Sequence, residues 1–149
     1  LSFGDVFISN GDYYLCITAL CDCTHPNKDH CFYFVKGSKI EEDLAIKLGE
    51  GGFISYINGN VVINWTTVSN TPSKQDQYKP IYIKPQPIIV PNTEINNGIL
   101  KVKLYRERTE DLADIDFRYL TTIKNSYAQR IANHAFAHPV RVGIDFVKK

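Results

Sequence analysis

Short β-forming runs, separated by turn signals, dominate the first part of the chain. Two such runs flank Asn10 and Gly11, a pair that readily adopts the positive φ angles of a tight hairpin turn. The pattern predicts strands over 4–9 and 12–20. A third run, rich in aromatic and β-branched residues, starts at Cys31 and predicts a strand that pairs back on the second.

The period of the apolar positions then changes. Ile40, Leu44 and Leu48 are spaced by four, with Ser38 placed as a cap, and this spacing predicts a short helix over 39–48. The helical period ends before the next β-forming run begins. We therefore expect one short helix to be inserted between the strands.

A second hairpin signal follows this segment. Asn58 and Gly59 lie between two β-forming runs, which predicts strands over 53–57 and 61–67. The polar stretch 68–80 contains two prolines and predicts a surface loop. The sequence thus predicts a second β-hairpin in the middle of the chain, with the same Asn-Gly turn as the first.

The last third of the chain begins with proline-interrupted extended pieces at 81–90, which proline confines to sheet edges or bulges. Residues 98–107 alternate apolar and polar positions, as a half-buried strand does, and 116–123 predict a further strand. Seven or eight short strands in all indicate a mainly β fold with added helices. We expect a small antiparallel SH3-like barrel or a sandwich.

A C-terminal helix is predicted to begin at a capping box of Ser126 and Gln129 and to end at Pro139. Its apolar positions form two adjacent rows: Tyr127, Ile131 and Ala135, and Ala128, Ala132 and Phe136. An apolar stripe of this width usually packs in a core, and we expect Tyr127, Ile131 and Phe136 to do so. Arg130, His134 and Arg141 are then the surface-facing candidates for binding a partner.

Composition adds limits on domain number and partners. A chain of 149 residues with 44% hydrophobic and 22% charged residues suits a single domain over 1–149. Because the chain opens at Leu1 and contains no methionine, we expect this domain to be excised from, or associated with, a longer multidomain protein. The net charge of +1 gives no global basic footprint, so nucleic acid is not a favoured partner.

Two further features concern location. The apolar runs are far shorter than the roughly 20 residues that span a bilayer, and no signal peptide is evident, so we expect no membrane association. The four cysteines all lie at or before Cys31 and could not staple most of the chain, which favours a reducing, cytoplasmic location.

The cysteine-rich stretch 19–32 raises a choice between a metal site and an ordinary hairpin. If the second strand continues through Cys23, then Cys21, Cys23 and His25 project on one face, and Cys31 or His30 returns over them. Thiolates and imidazoles in such a set are zinc ligands. This spacing is not one of the paired spacings typical of zinc sites. We therefore expect no cofactor, with zinc as the alternative.

The other interpretations of this stretch need no metal. Cys16 and Cys31 would be small core residues, with the histidines solvated in a turn. A disulfide between Cys21 and Cys31 needs an oxidising compartment, and a catalytic cysteine needs a base and an oxyanion device. No such set is visible, so we assign no catalytic residue. Asp22 could accept backbone amides and lock the turn.

The segments "GDVF", "DYYLCITALCD" and "YLTTIKNSYAQRIANHAFAHPVRVGIDF" resemble a family of bacterial domains found in conflict and signalling proteins, whose members carry a strand that ends in Cys-Asp. The resemblance covers both ends of the chain and little of its middle. The matching positions are Gly4, Asp5, Tyr14, Cys21, Asp22, Tyr127, Arg130, Arg141 and Gly143. It implies an accessory domain beside receiver or effector modules in anti-phage systems, with no established chemistry.

The opening also resembles the SH3-like barrel of the MazF and PemK toxins. Those ribonucleases carry an Arg-Pro segment at the start of the second strand, where this chain has Gly11 to Tyr14. The missing cation puts RNA cleavage in doubt even if the barrel is correct. In an RNA- or nucleotide-acting enzyme, Arg106, Arg108, Arg118 and Lys124 would be the phosphate partners.

Three functions follow from these observations. The first is a non-catalytic sensing or protein-interaction domain of a bacterial defence or signalling protein, which contacts a protein partner or other domains of the same chain. The second is an enzyme that acts on RNA or a nucleotide. The third is a structural zinc module that uses Cys21, Cys23, His25 and Cys31. Cys21, Asp22, Arg130, His134 and Arg141 are the candidate binding residues of the first.

Overall fold

A computed structural model describes residues 1–18, 31–43, 53–57, 61–66, 83–105 and 112–137. The strands are β1 (Asp5–Ser9), β2 (Asp12–Cys16), β3 (Cys31–Lys39), β4 (Ile54–Ile57), β5 (Val61–Asn64), β6 (Pro85–Ile89), β7 (Ile99–Tyr105) and β8 (Leu112–Thr122), and they precede the helix α1 (Asn125–Ala137). Within these ranges, no helix combines the length and the apolar character needed to cross a bilayer.

Six of the strands form a barrel-like ring. Antiparallel pairing runs from β1 to β2, β3, β6, β7 and β8, and β8 pairs with β1 again. The ring is thinnest between β6 and β7, where the pairing consists of Ile89 opposite Lys103. The mainly β, antiparallel fold with a C-terminal helix is therefore confirmed.

The β4–β5 hairpin lies outside this ring. It joins the sheet at the far end of β3, where Ser38 and Lys39 pair with Asn64 and Ile63 of β5. β5 also pairs with β4, which is the last strand in the order of the sheet. We call β4 and β5 the outer hairpin.

β1, β2 and the centre of β3 at Phe34 and Val35 are buried on both faces. Phe7, Tyr14 and Phe34 belong to a cluster inside the ring, whereas their neighbours Val6 and Leu15 belong to a second cluster on the outside. Alternate side chains of a strand point to opposite faces, so burial on both sides requires apolar residues at consecutive positions. This double burial explains why these strands are continuous apolar runs in the sequence.

The ring interior is packed mainly with aromatic side chains. The Tyr14 ring stacks on Phe117 with ring centroids 4.5 Å apart, and Phe34 meets Phe117 edge-on at 5.6 Å. Phe7 contacts the same group from β1. Offset and edge-to-face arrangements of this kind are the favoured geometries of aromatic pairs, so the interior is a packed core.

The outer core lies between the ring, the outer hairpin and α1. Trp65 is its largest buried side chain, and its Nε1–H donates to Ser55 Oγ at 2.7 Å. From the helix, this core receives Ile131 and the small side chains of Ala132 and Ala135. The helix therefore covers part of the outer core with one apolar stripe.

The turn predicted at Asn10 and Gly11 is confirmed, but the strand that follows it is shorter than predicted. Asn10 and Gly11 adopt φ angles of 50° and 81°, as the predicted hairpin turn requires. β2 ends at Cys16 instead of continuing to residue 20, because Thr18 lies in a bend. There the Thr18 hydroxyl replaces a ladder partner and accepts the Tyr33 N–H at 2.7 Å.

The predicted helix over 39–48 starts too early. Ser38 and Lys39 belong to β3 and pair with β5, so sheet pairing overrides the capping pattern. Glu42 and Asp43 are helical, and the remainder of that prediction lies outside the described residues, as does the predicted loop over 68–80.

The terminal helix is present, but its first residues and its buried face differ from the prediction. α1 begins at Asn125, so Ser126 lies within the helix, and Gln129 donates to Asn133 instead of forming a capping box. Ile131 is buried as expected, whereas Tyr127 and Phe136 are 60% and 42% exposed. The core expectation was wrong for these two because the buried stripe is narrow and centred on alanines.

Candidate binding groove beside the terminal helix

Most residues of the predicted cysteine site lie outside the described ranges. These are Cys21, Asp22, Cys23 and His25. The predicted binding residue Arg141 also lies outside those ranges. β2 ends at Cys16 and Thr18 lies in a bend, so the predicted strand is interrupted before this stretch. The shared strand face of Cys21, Cys23 and His25 stays a prediction.

Cys31 is the remaining member of the predicted zinc set. It is half-buried at the start of β3, opposite Ile89 of β6. Within the described ranges, no three His, Cys, Asp or Glu side chains lie together as a metal site would need. Zinc binding by the loop that precedes β3 therefore stays a prediction.

The Gly-Asp pair at the chain opening has a structural role. Gly4 has a φ of 92°, and an added Cβ would lie 3.2 Å from the Ile123 carbonyl oxygen. Asp5 is 4% exposed, and its carboxylate accepts the Ser2 N–H at 2.8 Å and the Thr122 hydroxyl at 2.6 Å. The pair thus fastens the N-terminal segment to the end of β8, next to α1.

Tyr14, another position of the family pattern, belongs to the ring interior. Burial raises the pKa of its phenol above the ordinary value, while Lys36 lowers that pKa and Asp12 raises it further. Lys36 and Asp12 themselves form an ion pair at 3.3 Å. The role of Tyr14 in the fold is therefore packing.

Two of the predicted binding residues come together at one aromatic ring. The Arg130 guanidinium lies 4.3 Å from the centroid of the Phe53 ring, and the His134 ring lies 4.6 Å from it. Phe53 directly precedes β4 and has a φ of 49°, a left-handed conformation that is uncommon for an aromatic residue. These contacts join α1 to the outer hairpin and hold the strained residue in place.

Beside this contact lies a groove of about 550 Å³ between β4, the end of β8 and α1. We call it the cationic groove, because Lys124 and Arg130 line it and no acidic side chain does so among the described residues. Tyr56 and Tyr127, which are 57% and 60% exposed, also line it. A cationic surface with accessible tyrosines suits a negatively charged partner.

The other side of the helix faces a groove of different character. This amide groove, of about 970 Å³, is lined by Asn125, Gln129 and Asn133 and, among the described residues, by no charged side chain. Tyr33 and Phe136 meet edge-on there, with ring centroids 5.7 Å apart. It offers hydrogen bonds and aromatic surface but no charge to select an ionic partner.

The phosphate partners expected of an RNA-acting enzyme are not brought together by the described residues. Arg106 and Arg108 lie outside those ranges. Arg118 pairs with Ile99 within β8 and β7, whereas Lys124 lies beyond the end of β8 at the cationic groove. The RNA- or nucleotide-acting alternative therefore stays a prediction.

Sequence reasoning found Arg130 and His134 but missed their surroundings. Tyr127 was assigned to the core, and Phe53 and Tyr56 were not singled out at all. The alternation of β4 does place Tyr56 on the face opposite the buried Ile57, which is a signal for exposure. No pattern in the sequence indicates that this strand lies next to the helix.

Comparison of the chain with models of protein families, with curated proteins and with solved structures found no significant match. No family is therefore assigned to the chain.

Proposed function

We propose that the chain is a non-catalytic protein-interaction domain that binds an acidic segment of a partner protein in the cationic groove. The observation that carries the proposal is the groove itself, where Lys124 and Arg130 lie beside two exposed tyrosines. Aromatic residues and arginine are enriched in protein interfaces because they bury large areas and also form hydrogen bonds.

The packing of side chains in the groove walls supports this function. Arg130 is packed against Phe53, and α1 and the outer hairpin share the buried outer core. A binding surface whose side chains are already positioned loses less conformational entropy when a partner binds. The groove is therefore suited to recognition without rearrangement.

The resemblance of both chain ends to bacterial conflict and signalling domains supports a setting for this function. The partner would be another module of a cytoplasmic defence or signalling system, in the same chain or in a separate one. Cys21, Asp22 and Arg141 would then extend the interaction surface beyond the groove.

A selection of displayed peptides tests the proposal. A random ten-residue library is selected on the wild-type protein, and each recovered peptide is measured against a Lys124→Glu, Arg130→Glu variant. The control is a Lys84→Glu, Lys101→Glu variant, which makes the same change in net charge at exposed lysines outside the groove.

We expect acidic peptides to be recovered, with affinity reduced about tenfold or more by the groove variant and little changed by the control. Peptides that bind both variants equally would place the interaction elsewhere and overturn the proposal. A selection that recovers no peptide above background would also overturn it.

A further inference from the structure

We infer that the occupant of the cationic groove binds as an added β-strand on the outer edge of β4, with acidic side chains directed at Lys124 and Arg130. This inference rests on the proposed function and specifies the conformation and chemistry of the partner. It follows from the position of β4 in the sheet, from the direction of its backbone groups and from the charges along the groove.

β4 is the end strand of the sheet. Among the described residues it pairs with β5 on one side and with no strand on the other. All five residues from Phe53 to Ile57 line the cationic groove. An edge strand presents a row of backbone donors and acceptors, and strand addition to such an edge is a common mode of peptide recognition.

The direction of the β4 backbone groups follows from one hydrogen bond and the register. The Trp65 N–H donates to the Phe53 carbonyl oxygen at 3.2 Å, so Phe53 is bonded to the β5 side. In an antiparallel pair, bonded and non-bonded positions alternate along the strand. Ser55 is therefore bonded to β5, whereas the N–H and C=O groups of Ile54 and Tyr56 point outward.

The other neighbour of β5 gives the same result independently. The Ile40 N–H donates to the Val62 carbonyl oxygen at 2.9 Å, so the backbone groups of Val62 point toward the β3 side. Val62 lies opposite Tyr56 in the register. A residue in a strand directs both of its backbone groups to one side, so Val62 does not bond Tyr56, whose N–H and C=O face the outer edge.

The direction of the side chains then predicts the sequence of the partner. Ser55 and Ile57 lie on the face of β4 that packs in the outer core, toward α1. A strand added beside β4 places every second side chain on that same face, where Lys124 and Arg130 line the groove. Acidic residues at alternate positions satisfy both features.

A peptide is favoured over a nucleic acid for two reasons. The outward N–H and C=O groups of β4 match the alternating groups of an extended peptide backbone. Phosphate oxygens accept hydrogen bonds only, so they would pair with the N–H groups and leave the C=O groups unpaired. Among the described residues, two cations line the groove, and the net charge of the chain is +1. This is little positive charge for binding that depends on phosphate neutralisation.

The test uses the seven-residue peptide Glu-Val-Glu-Val-Glu-Val-Glu, with both ends blocked, and two N-methylated forms. One form carries methyl groups on the valine nitrogens and the other on the inner glutamate nitrogens, so each form blocks one edge of the extended chain. Calorimetric titration measures the affinity of each peptide for the full chain. A seven-residue uridine oligonucleotide is the nucleic-acid comparison.

Two variants at Tyr56 test the same contact from the side of the protein. Tyr56→Pro removes the outward N–H and leaves the bonds to β5 intact, since proline is tolerated on edge strands. Tyr56→Ala removes the same ring but keeps the N–H, and it is the matched control. Circular dichroism tests whether both variants retain the fold. The methylated peptides test the inference independently of these variants.

We expect one methylated form to bind at least tenfold more weakly than the parent peptide, and the other form to bind like the parent. We also expect Tyr56→Pro to bind the parent peptide about tenfold more weakly than Tyr56→Ala does. Equal binding of all three peptides would overturn strand addition and leave the groove proposal standing. Binding of the oligonucleotide but of no peptide would overturn both.

Discussion

The two sides of helix α1 form grooves with different recognition chemistry. The amide groove is the larger, and its described walls carry hydrogen-bonding amides with no charged side chain. The cationic groove is smaller, and it combines two basic residues with the outer edge of β4, which no other strand of the described residues covers. The volume of a groove therefore does not identify the binding site by itself. Charged side chains and backbone hydrogen-bonding groups determine which partner a groove can bind.

The two grooves also differ in what holds their walls. The amide groove is bounded by Tyr33 of the ring and by Ile17 directly after β2, whereas the cationic groove is bounded by the outer hairpin. The hairpin joins the ring through two residue pairs of β3 and through the outer core. We therefore expect the cationic groove to be the easier one to disrupt selectively.

The largest effect is expected from Asp5→Ala, which acts on both grooves. Asp5 holds Ser2 of the amide groove and Thr122 of the cationic groove. Its loss leaves these donors without their acceptor and lowers the free energy of unfolding by about 3 kcal/mol. Urea denaturation measures the change, and a loss below about 0.5 kcal/mol would contradict this role.

Gly37→Ala should act on the cationic groove alone. An added Cβ at Gly37 would lie 2.5 Å from Trp65 Cε3 and 2.6 Å from Ile63 Cγ2, so the outer hairpin must shift. Overpacking of this kind costs about 1–3 kcal/mol. Because Trp65 is the single tryptophan of the chain, its fluorescence reports the shift. An unchanged spectrum and unchanged stability would show that the hairpin is loosely packed.

A matched pair of smaller substitutions compares the aromatic contacts of the two grooves. Phe53→Leu removes the ring beneath Arg130, and Phe136→Leu removes the ring that meets Tyr33. We expect Phe53→Leu to cost about 0.5–1 kcal/mol more than the loss of apolar area predicts, because a cation–π contact is lost as well. Thermal unfolding of both variants measures the difference. Equal costs would argue against the cation–π contribution.

The smallest effect at neutral pH is expected inside the ring, away from both grooves. Burial raises the pKa of Tyr14 in the folded state above the unfolded value of about 10. As the pH rises past that value, the unfolded chain loses the proton first, so the stability from this group is present below about pH 10 and lost above it. The Tyr14→Phe variant should lose stability less steeply above pH 10 in urea denaturation. Parallel curves for the two proteins would contradict the shift.

Local features of the fold could be predicted from the sequence because they depend on neighbouring residues. The Asn10-Gly11 turn and the alternation of Leu100 and Val102 in β7 are of this kind. Closure of the ring between β1 and β8 joins distant segments, and no local pattern specifies it. The same limit applies to β3, which pairs with three different strands.

The candidate site was less predictable than the fold. Its basic and aromatic residues come from 53–57 and 121–131, segments that are far apart in sequence and meet through the outer core. The helical spacing gave two apolar rows, but the sequence could not show that the alanines would face the sheet. Tyr127 was consequently placed in the core, although it is exposed beside the groove.

One measurement tests the central claim most directly: a titration of the ¹⁵N-labelled protein with the Glu-Val peptide, followed by amide shifts in two-dimensional NMR. We predict saturable shifts concentrated at 54–57 and 121–131, with Ile54, Tyr56 and Lys124 among the largest. Shifts centred instead on Thr18, Tyr33 and the rest of the amide groove would contradict the account, and so would the absence of saturable shifts.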